Sequence, residues 1–135
     1  MRPEWCAIFN PNAGNAKGSK DSGRISDILR KNGINFNALT TTGKGDATEF
    51  TRTMLAEGYR KIISVGGDGT LNEIINGVFT QTHCLPSEVT IGLIPVGTGN
   101  DWGRMFGIPL VYEGAVSVIK AVSYIHLTLP TIYSV

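Results

Sequence analysis

The sequence is poor in the residues that most often carry chemistry by themselves. Two cysteines and two histidines stand among 135 residues. Cys6 and Cys84 match no metal-ligand spacing, so both read as free thiols of a reducing compartment. His83 falls in a loop with no evident partner, which leaves a Ser/His/Asp reading without support. Charged residues make up 17% of the chain and the net charge is +1. That balance gives no electrostatic footprint for nucleic acid. No apolar run approaches a membrane span. Glu4 interrupts a short apolar stretch at the N-terminus, so no signal pattern is expected there. A soluble cytoplasmic protein is the default expectation. Two phosphate-binding fingerprints are also missing. Gly14 and Gly18 precede Ser19-Lys20 at the wrong spacing for a Walker A loop. The G-x-G-x-x-G pattern fails at Asn72 after Gly67, and at Trp102 after Gly97. These gaps argue against a P-loop enzyme and an ordinary dinucleotide dehydrogenase.

Glycine is plentiful, with 17 residues, and its placement organises the chain. The stretch Ser64-Val65-Gly66-Gly67-Asp68-Gly69-Thr70-Leu71-Asn72-Glu73 joins the apolar run Ile62–Val65 to a helical pattern of Leu71, Ile74, Ile75, Val78 and Phe79. It reads as strand, turn and helix. Its three glycines permit φ > 0 and leave room for a ligand against the main chain. The free N–H groups of the following helix suit an anion. A carboxylate at the centre, Asp68, repels phosphate unless a metal or a proton-transfer role accounts for it. A bland reading stands beside this one: Thr70 and Glu73 have the spacing of a capping box, which needs no ligand.

The rest of the chain repeats the scheme. Trp5–Phe9 reads as a buried strand that stops at the turn Asn10–Gly14. Ile25, Ile28 and Leu29 mark a helix closed by Gly33. Ile34–Leu39 alternates as a second strand, followed by the polar loop Thr40–Gly45. Asp46 is expected to cap the next helix, with Glu49 at the capping-box offset. Phe50, Met54 and Leu55 form its inner face. After the third strand and the central turn, Thr80–Glu88 reads as a loop in which Pro86 bars regular structure. Val89–Ile94 is a fourth strand and Pro95–Asp101 a second glycine turn. Trp102–Phe106 is one helical turn, stopped by Gly107-Ile108-Pro109, and Tyr112–Lys120 starts a last helix.

Strand and helix alternate with short links, the pattern of an α/β fold: a three-layer parallel sheet with helices on both faces. With 41% hydrophobic residues, a chain of this length can bury a core. Ligands of such sheets sit beyond the carboxyl ends of the strands. Four turns lie there, Asn10–Gly14, Thr40–Gly45, Gly66–Thr70 and Val96–Asp101. One helix N-terminus contributes about 0.3–2 kcal/mol to holding an anion. A nucleotide bound at micromolar to millimolar affinity needs roughly 4–8 kcal/mol. Several turns must therefore cooperate.

At this point the sequence resembles the catalytic domain of the diacylglycerol kinase family, which includes bacterial lipid kinases and the sphingosine and ceramide kinases. Asn10-Pro11 with Gly14 is similar to its N-P-x-x-G, and Thr41 with Gly45-Asp46-Ala47 to its T…G-D-A. Gly66–Glu73 is similar to its G-G-D-G-T-x-N-E, followed by Asn76-Gly77. Pro95–Asp101 is similar to its P-x-G-T-x-N-D, with Arg104 and Ile108-Pro109 in place. Gly66-Gly67-Asp68-Gly69-Thr70 alone would also suit NAD kinases, and phosphofructokinases carry a related turn; joined to Asn72-Glu73 and to Gly97–Asp101, it is specific for lipid kinases. Trp102-Gly103-Arg104 suits the bacterial enzymes better than the sphingosine kinases.

The resemblance implies a lipid kinase that moves the ATP γ-phosphate to the hydroxyl of a diacylglycerol-like membrane lipid. It implies ATP and Mg²⁺ as cofactors, and leaves peripheral contact with the inner membrane face open. By resemblance the nucleotide contacts are Asn10, Thr41, Gly67, Asp68, Gly69, Thr70, Leu71, Asn72, Glu73 and Thr98. Asp68 is the favoured catalytic carboxylate, taking the lipid hydroxyl's proton or organising Mg²⁺, and Asp101 can share this work. The alternative for Asp101 is an N-cap on the short helix. Family members continue into a second, β-rich domain that supplies most metal ligands and further acids. The expectation is that residues 1–121 are the nucleotide-binding half and that this half alone is inactive. Residues 122–135 do not look like the family. They resemble a translated frame of a sequencing-library adaptor, so a non-family, artefactual tail is expected there. Two other functions compete: an NAD kinase-like enzyme acting on a soluble nucleotide, and a non-catalytic nucleotide-binding domain.

Overall fold

The four apolar runs become four strands because each is buried on both faces or lies at the sheet edge. The computed structural model describes residues 2–97 and 101–125. In chain order it has β1 (Trp5–Phe9), α1 (Ala13–Lys31), β2 (Phe36–Thr40), α2 (Asp46–Ala56), β3 (Lys61–Gly66), α3 (Asp68–Thr80), β4 (Thr90–Pro95), α4 (Asp101–Met105) and α5 (Tyr112–Ile125). All strand pairings are parallel and the order is β2-β1-β3-β4. Every residue of β1, β3 and β4 is buried, whereas the edge strand β2 is half-exposed. Continuous apolar strands of this kind require helices on both faces. α2 packs on α3 and α1 on α5, the pairing that right-handed crossovers produce when the strand order reverses after β2. The fold is thus the three-layer α/β arrangement read from the sequence.

The core is built from large aliphatic side chains. Ile8, Ile25, Leu29, Leu55, Ile62, Ile63, Ile74, Ile94 and Ile119 are fully buried together with Trp5. Each contributes about 1.5–3 kcal/mol by leaving water. α1 and α5 are also joined at the surface. The Tyr112 hydroxyl donates to Asp21 Oδ2 at 2.6 Å and Arg24 pairs with Glu113 at 3.3 Å. Burial, then the Asp21 carboxylate, pushes the Tyr112 hydroxyl up to about 12. Cys6 and Cys84 are free, and burial pushes the Cys6 thiol up to about 12.

Several local expectations are corrected. β2 begins at Phe36, because Ile34 closes α1 instead: it is buried and its N–H donates to Leu29 O. The start of α1 is not a regular helix. Gly14, Asn15 and Ala16 all have left-handed backbone, with φ of 60°, 58° and 70°. Pro86 does not bar structure; it opens a short 3₁₀ turn, Pro86–Glu88, where a missing N–H costs nothing. The loop before it is ordered by Gln81. Its amide oxygen accepts from the N–H groups of His83 and Cys84, and its amide nitrogen donates to Val78 O and Cys84 O. α5 runs to Ile125, so residues 122–125 of the expected tail continue this helix, and residues 126–135 lie outside the described residues.

Candidate nucleotide-binding site

The carboxyl ends of β1, β2 and β3 open onto one polar cavity of about 370 Å³. It lies where the chain reverses direction across the sheet, with β2 on one side of β1 and β3 on the other. That crevice is where open α/β sheets bind ligands, and the volume is within the usual range of about 300–1,000 Å³. Asn10, Asn12 and Ala13 line it from the turn after β1. Thr41, Gly43, Lys44 and Ala47 line it from the turn after β2, and Gly67, Gly69, Thr70 and Glu73 from the turn and helix after β3.

Six residues named from the sequence therefore meet: Asn10, Thr41, Gly67, Gly69, Thr70 and Glu73. The Asn10 side chain ties two turns together. Its amide nitrogen donates to Thr70 Oγ1 at 3.0 Å, and its amide oxygen accepts from the Asn12 N–H at 3.0 Å. Its backbone N–H donates to Val65 O at 3.0 Å. Thr41 is buried, its N–H donating to Phe9 O at 2.9 Å. Asp68, Leu71 and Asn72 are not among the lining residues. Leu71 belongs to the core and Asn72 faces solvent. Thr98 lies outside the described residues. The fourth turn does approach the first: a Cβ on Gly14 would lie 3.0 Å from Gly97 Cα.

The glycines of the central turn are not there for left-handed backbone. Gly67 is extended, with φ −97° and ψ −166°. The positive-φ glycines of the described residues lie elsewhere, including Gly14, Gly45 and Gly97. What the central turn requires is space. A Cβ on Gly66 would sit 2.6 Å from Thr70 Oγ1, whereas one on Gly69 would meet nothing within 4 Å.

Three carboxylates accept from backbone N–H groups other than those that sequence spacing assigned them, two of them from 26 or more residues away. The cap of α3 is Gly67, and Thr70 and Glu73 form no capping box. Instead Glu73 Oε1 accepts from Gly45 N–H at 3.1 Å and Ala47 N–H at 3.3 Å, at the start of α2. Close packing of α3 on α2 makes this reach possible. Gly77 allows it, since a Cβ there would lie 2.8 Å from Thr48 O and from Thr51 Cβ. Asp46 does not cap α2 either; Gly45 occupies the cap position with φ 91°. The Asp46 carboxylate turns back and accepts from Thr42 N–H (2.7 Å), Thr42 Oγ1–H (2.8 Å) and Gly43 N–H (3.0 Å). Asp68 accepts from Asp101 N–H at 2.9 Å and Trp102 N–H at 3.2 Å. It is Asp68, not Asp101, that caps α4; Asp101 pairs with Arg104.

The bonds from Thr42, backbone first, hold the Asp46 carboxyl below its ordinary value of 3.8. The charged form is favoured in the fold. Its contribution is therefore complete above the unfolded value and is lost as pH falls through it toward the lower folded value. Melting temperature followed from pH 6 to pH 2 should fall less steeply for Asp46→Asn than for the parent chain. Identical slopes would show that Asp46 does not contribute.

Among the described residues no three His, Cys, Asp or Glu side chains cluster as metal ligands. Both Asp68 oxygens already accept N–H bonds, and Asp101 is paired. These side chains do not form a metal cage.

A parallel α/β sheet with a polar, glycine-walled cavity at its switch point has that cavity where such folds bind ligands. Comparison with known proteins narrows the class. A family model, the diacylglycerol kinase catalytic domain, matches residues 4–129. The chain belongs to this family. It is similar to the diacylglycerol kinase of Staphylococcus saprophyticus, 36% identical over 119 residues, covering 88% of this chain and 38% of that protein. It is also similar to that of Staphylococcus haemolyticus, 38% identical over 112 residues, covering 83% of this chain and 33% of that protein. A crystal structure of a diacylglycerol kinase from Bacillus anthracis superposes with a TM-score of 0.72 at 30% identity, over 90% of this chain and 41% of that one. The chain thus spans under two-fifths of the length of these two curated relatives.

Sequence reasoning missed Asn12, Ala13, Gly43, Lys44 and Ala47 as lining residues. One signal was available for Lys44. It is the sole cation within the four turns at the strand ends.

Proposed function

We propose that this chain is the nucleotide-binding part of a lipid kinase that moves the ATP γ-phosphate to the hydroxyl of a diacylglycerol-like lipid. The observation that carries the reading is the cavity at the switch point. Asn10, Thr41, Gly67 and Thr70, from three separate turns, converge on it. First-turn amides of α3 border the same space and suit phosphate. Phosphoryl transfer asks the protein mainly for positioning and electrostatic stabilisation. In this reading Mg·ATP is the substrate complex, and Thr98 joins the nucleotide contacts. Asp68 serves the acceptor hydroxyl at the cavity's edge, with Asp101 beside it. The lipid and the remaining acids belong to the part of the relatives that this chain does not span. No helix of the described residues is long and apolar enough to cross a membrane, so lipid is expected to be met at a surface.

Calorimetric titration of the chain with Mg·ATP tests the reading. Binding in the micromolar to millimolar range is expected, with no phosphate transfer to diacylglycerol in mixed micelles. A chain extended to the relatives' length should transfer phosphate to diacylglycerol and not to NAD. Absence of ATP binding, or transfer to NAD alone, would overturn it.

A further inference from the structure

We infer that Lys44 reads the phosphate chain of the nucleotide, an inference that rests on the ATP reading above and adds a specificity residue to it. Only Lys44 and Glu73 carry charge among the residues lining the cavity. Glu73 faces α2, its Oε1 accepting from the Gly45 and Ala47 N–H groups. Lys44 makes no ion pair or side-chain hydrogen bond among the described residues. It is thus a cation with no ion-pair partner among the described residues, on the wall of a cavity that Gly67, Gly69 and Thr70 also line.

The loop that carries Lys44 is fixed on both sides. Asp46 holds Thr42 and Gly43 before it, through three bonds of 2.7–3.0 Å. Glu73 holds Gly45 and Ala47 after it. The Asp46 N–H also donates to Gly43 O at 3.3 Å, closing the turn around Lys44. A loop ordered before the ligand arrives loses little freedom on binding. Two carboxylates bonded to backbone amides within so short a loop fix the backbone on either side of Lys44 at a polar cavity. An ammonium there gains a charge-assisted bond to any phosphate oxygen that enters. Adenosine, which lacks phosphate, gains nothing from it.

Titration of the 135-residue chain with Mg·ATP and with adenosine tests this. Lys44→Gln should weaken ATP binding about tenfold, at the low end for a bond to a charged group because the side chain is exposed. Adenosine binding should stay within about twofold. Lys44→Arg should keep most of the ATP affinity, and raising salt should narrow the gap between parent and Lys44→Gln. Equal ATP affinity in parent and Lys44→Gln would overturn the role of Lys44 and leave the ATP reading standing. An equal loss for ATP and adenosine would also overturn it, because Lys44 would then shape the cavity rather than read phosphate. A parent chain that binds no ATP would overturn both.

Discussion

Gly67→Val should abolish nucleotide binding while the domain stays folded. Gly67 lines the cavity and its backbone is extended, φ −97° and ψ −166°, at the rim of the β region and outside the left-handed region that favours glycine. The added methyl groups compete with the ligand in a cavity of only about 370 Å³. They also keep phosphate from approaching the first-turn amides of α3. The expected loss is about 100-fold or more in affinity for Mg·ATP, or about 2.7 kcal/mol. The change in unfolding free energy should stay within about 1 kcal/mol. Gly66→Val provides the contrast. Its Cβ would lie 2.6 Å from Thr70 Oγ1, so that variant should lose stability as well as binding. Calorimetry beside thermal melting separates the two. A Gly67→Val chain that folds and binds ATP as the parent does would sink the site.

Asp68→Asn should cut kcat by about 10²–10⁴-fold in a chain of the relatives' full length, the usual size of a general-base contribution. The structure adds a second consequence. Both Asp68 oxygens accept N–H bonds from the start of α4. Asparagine has one acceptor oxygen, so one of these bonds is lost, at a cost of about 1 kcal/mol in stability. Two effects of different size follow, and they are separable. If Asp68 were only the clip that joins the turn after β3 to α4, kcat would fall little and the melting temperature would drop by a few degrees. If it serves the acceptor hydroxyl, kcat collapses at saturating ATP while the affinity for ATP changes little. Loss of both parameters together would point to Mg²⁺. A kcat within threefold of the parent would remove Asp68 from the chemistry.

The order of elements was legible in the sequence because each signal is local. β1 stops before Asn10-Pro11, a pair that marks turns, and Ile25, Ile28 and Leu29 share a face on a helix. The boundaries that slipped did so for tertiary reasons. Ile34 alternates with its neighbours as a strand residue would, but the underside of α1 buries it first. Likewise the glycine-rich turn was legible as a place of close approach, while the reason for each glycine was not. Gly66 is required by the Thr70 hydroxyl and Gly77 by the backbone of α2, contacts that no spacing rule contains.

What the sequence determined, then, was the set of strands, the helices behind them and the turns at the strand ends, three of which line one cavity. What only the tertiary structure decided was the strand order and the partner of each carboxylate. The spacing of Thr70 and Glu73 describes a capping box, yet Glu73 serves amides 28 and 26 residues away. Asp101 stands where a cap belongs, yet Asp68 caps α4 from 33 residues away. The physical reason is common to both. A carboxylate bonds the unsatisfied N–H groups nearest in space, and a parallel sheet gathers the free amides of several helices along one edge. Local spacing names the candidates for those bonds; the sheet order β2-β1-β3-β4 chooses among them.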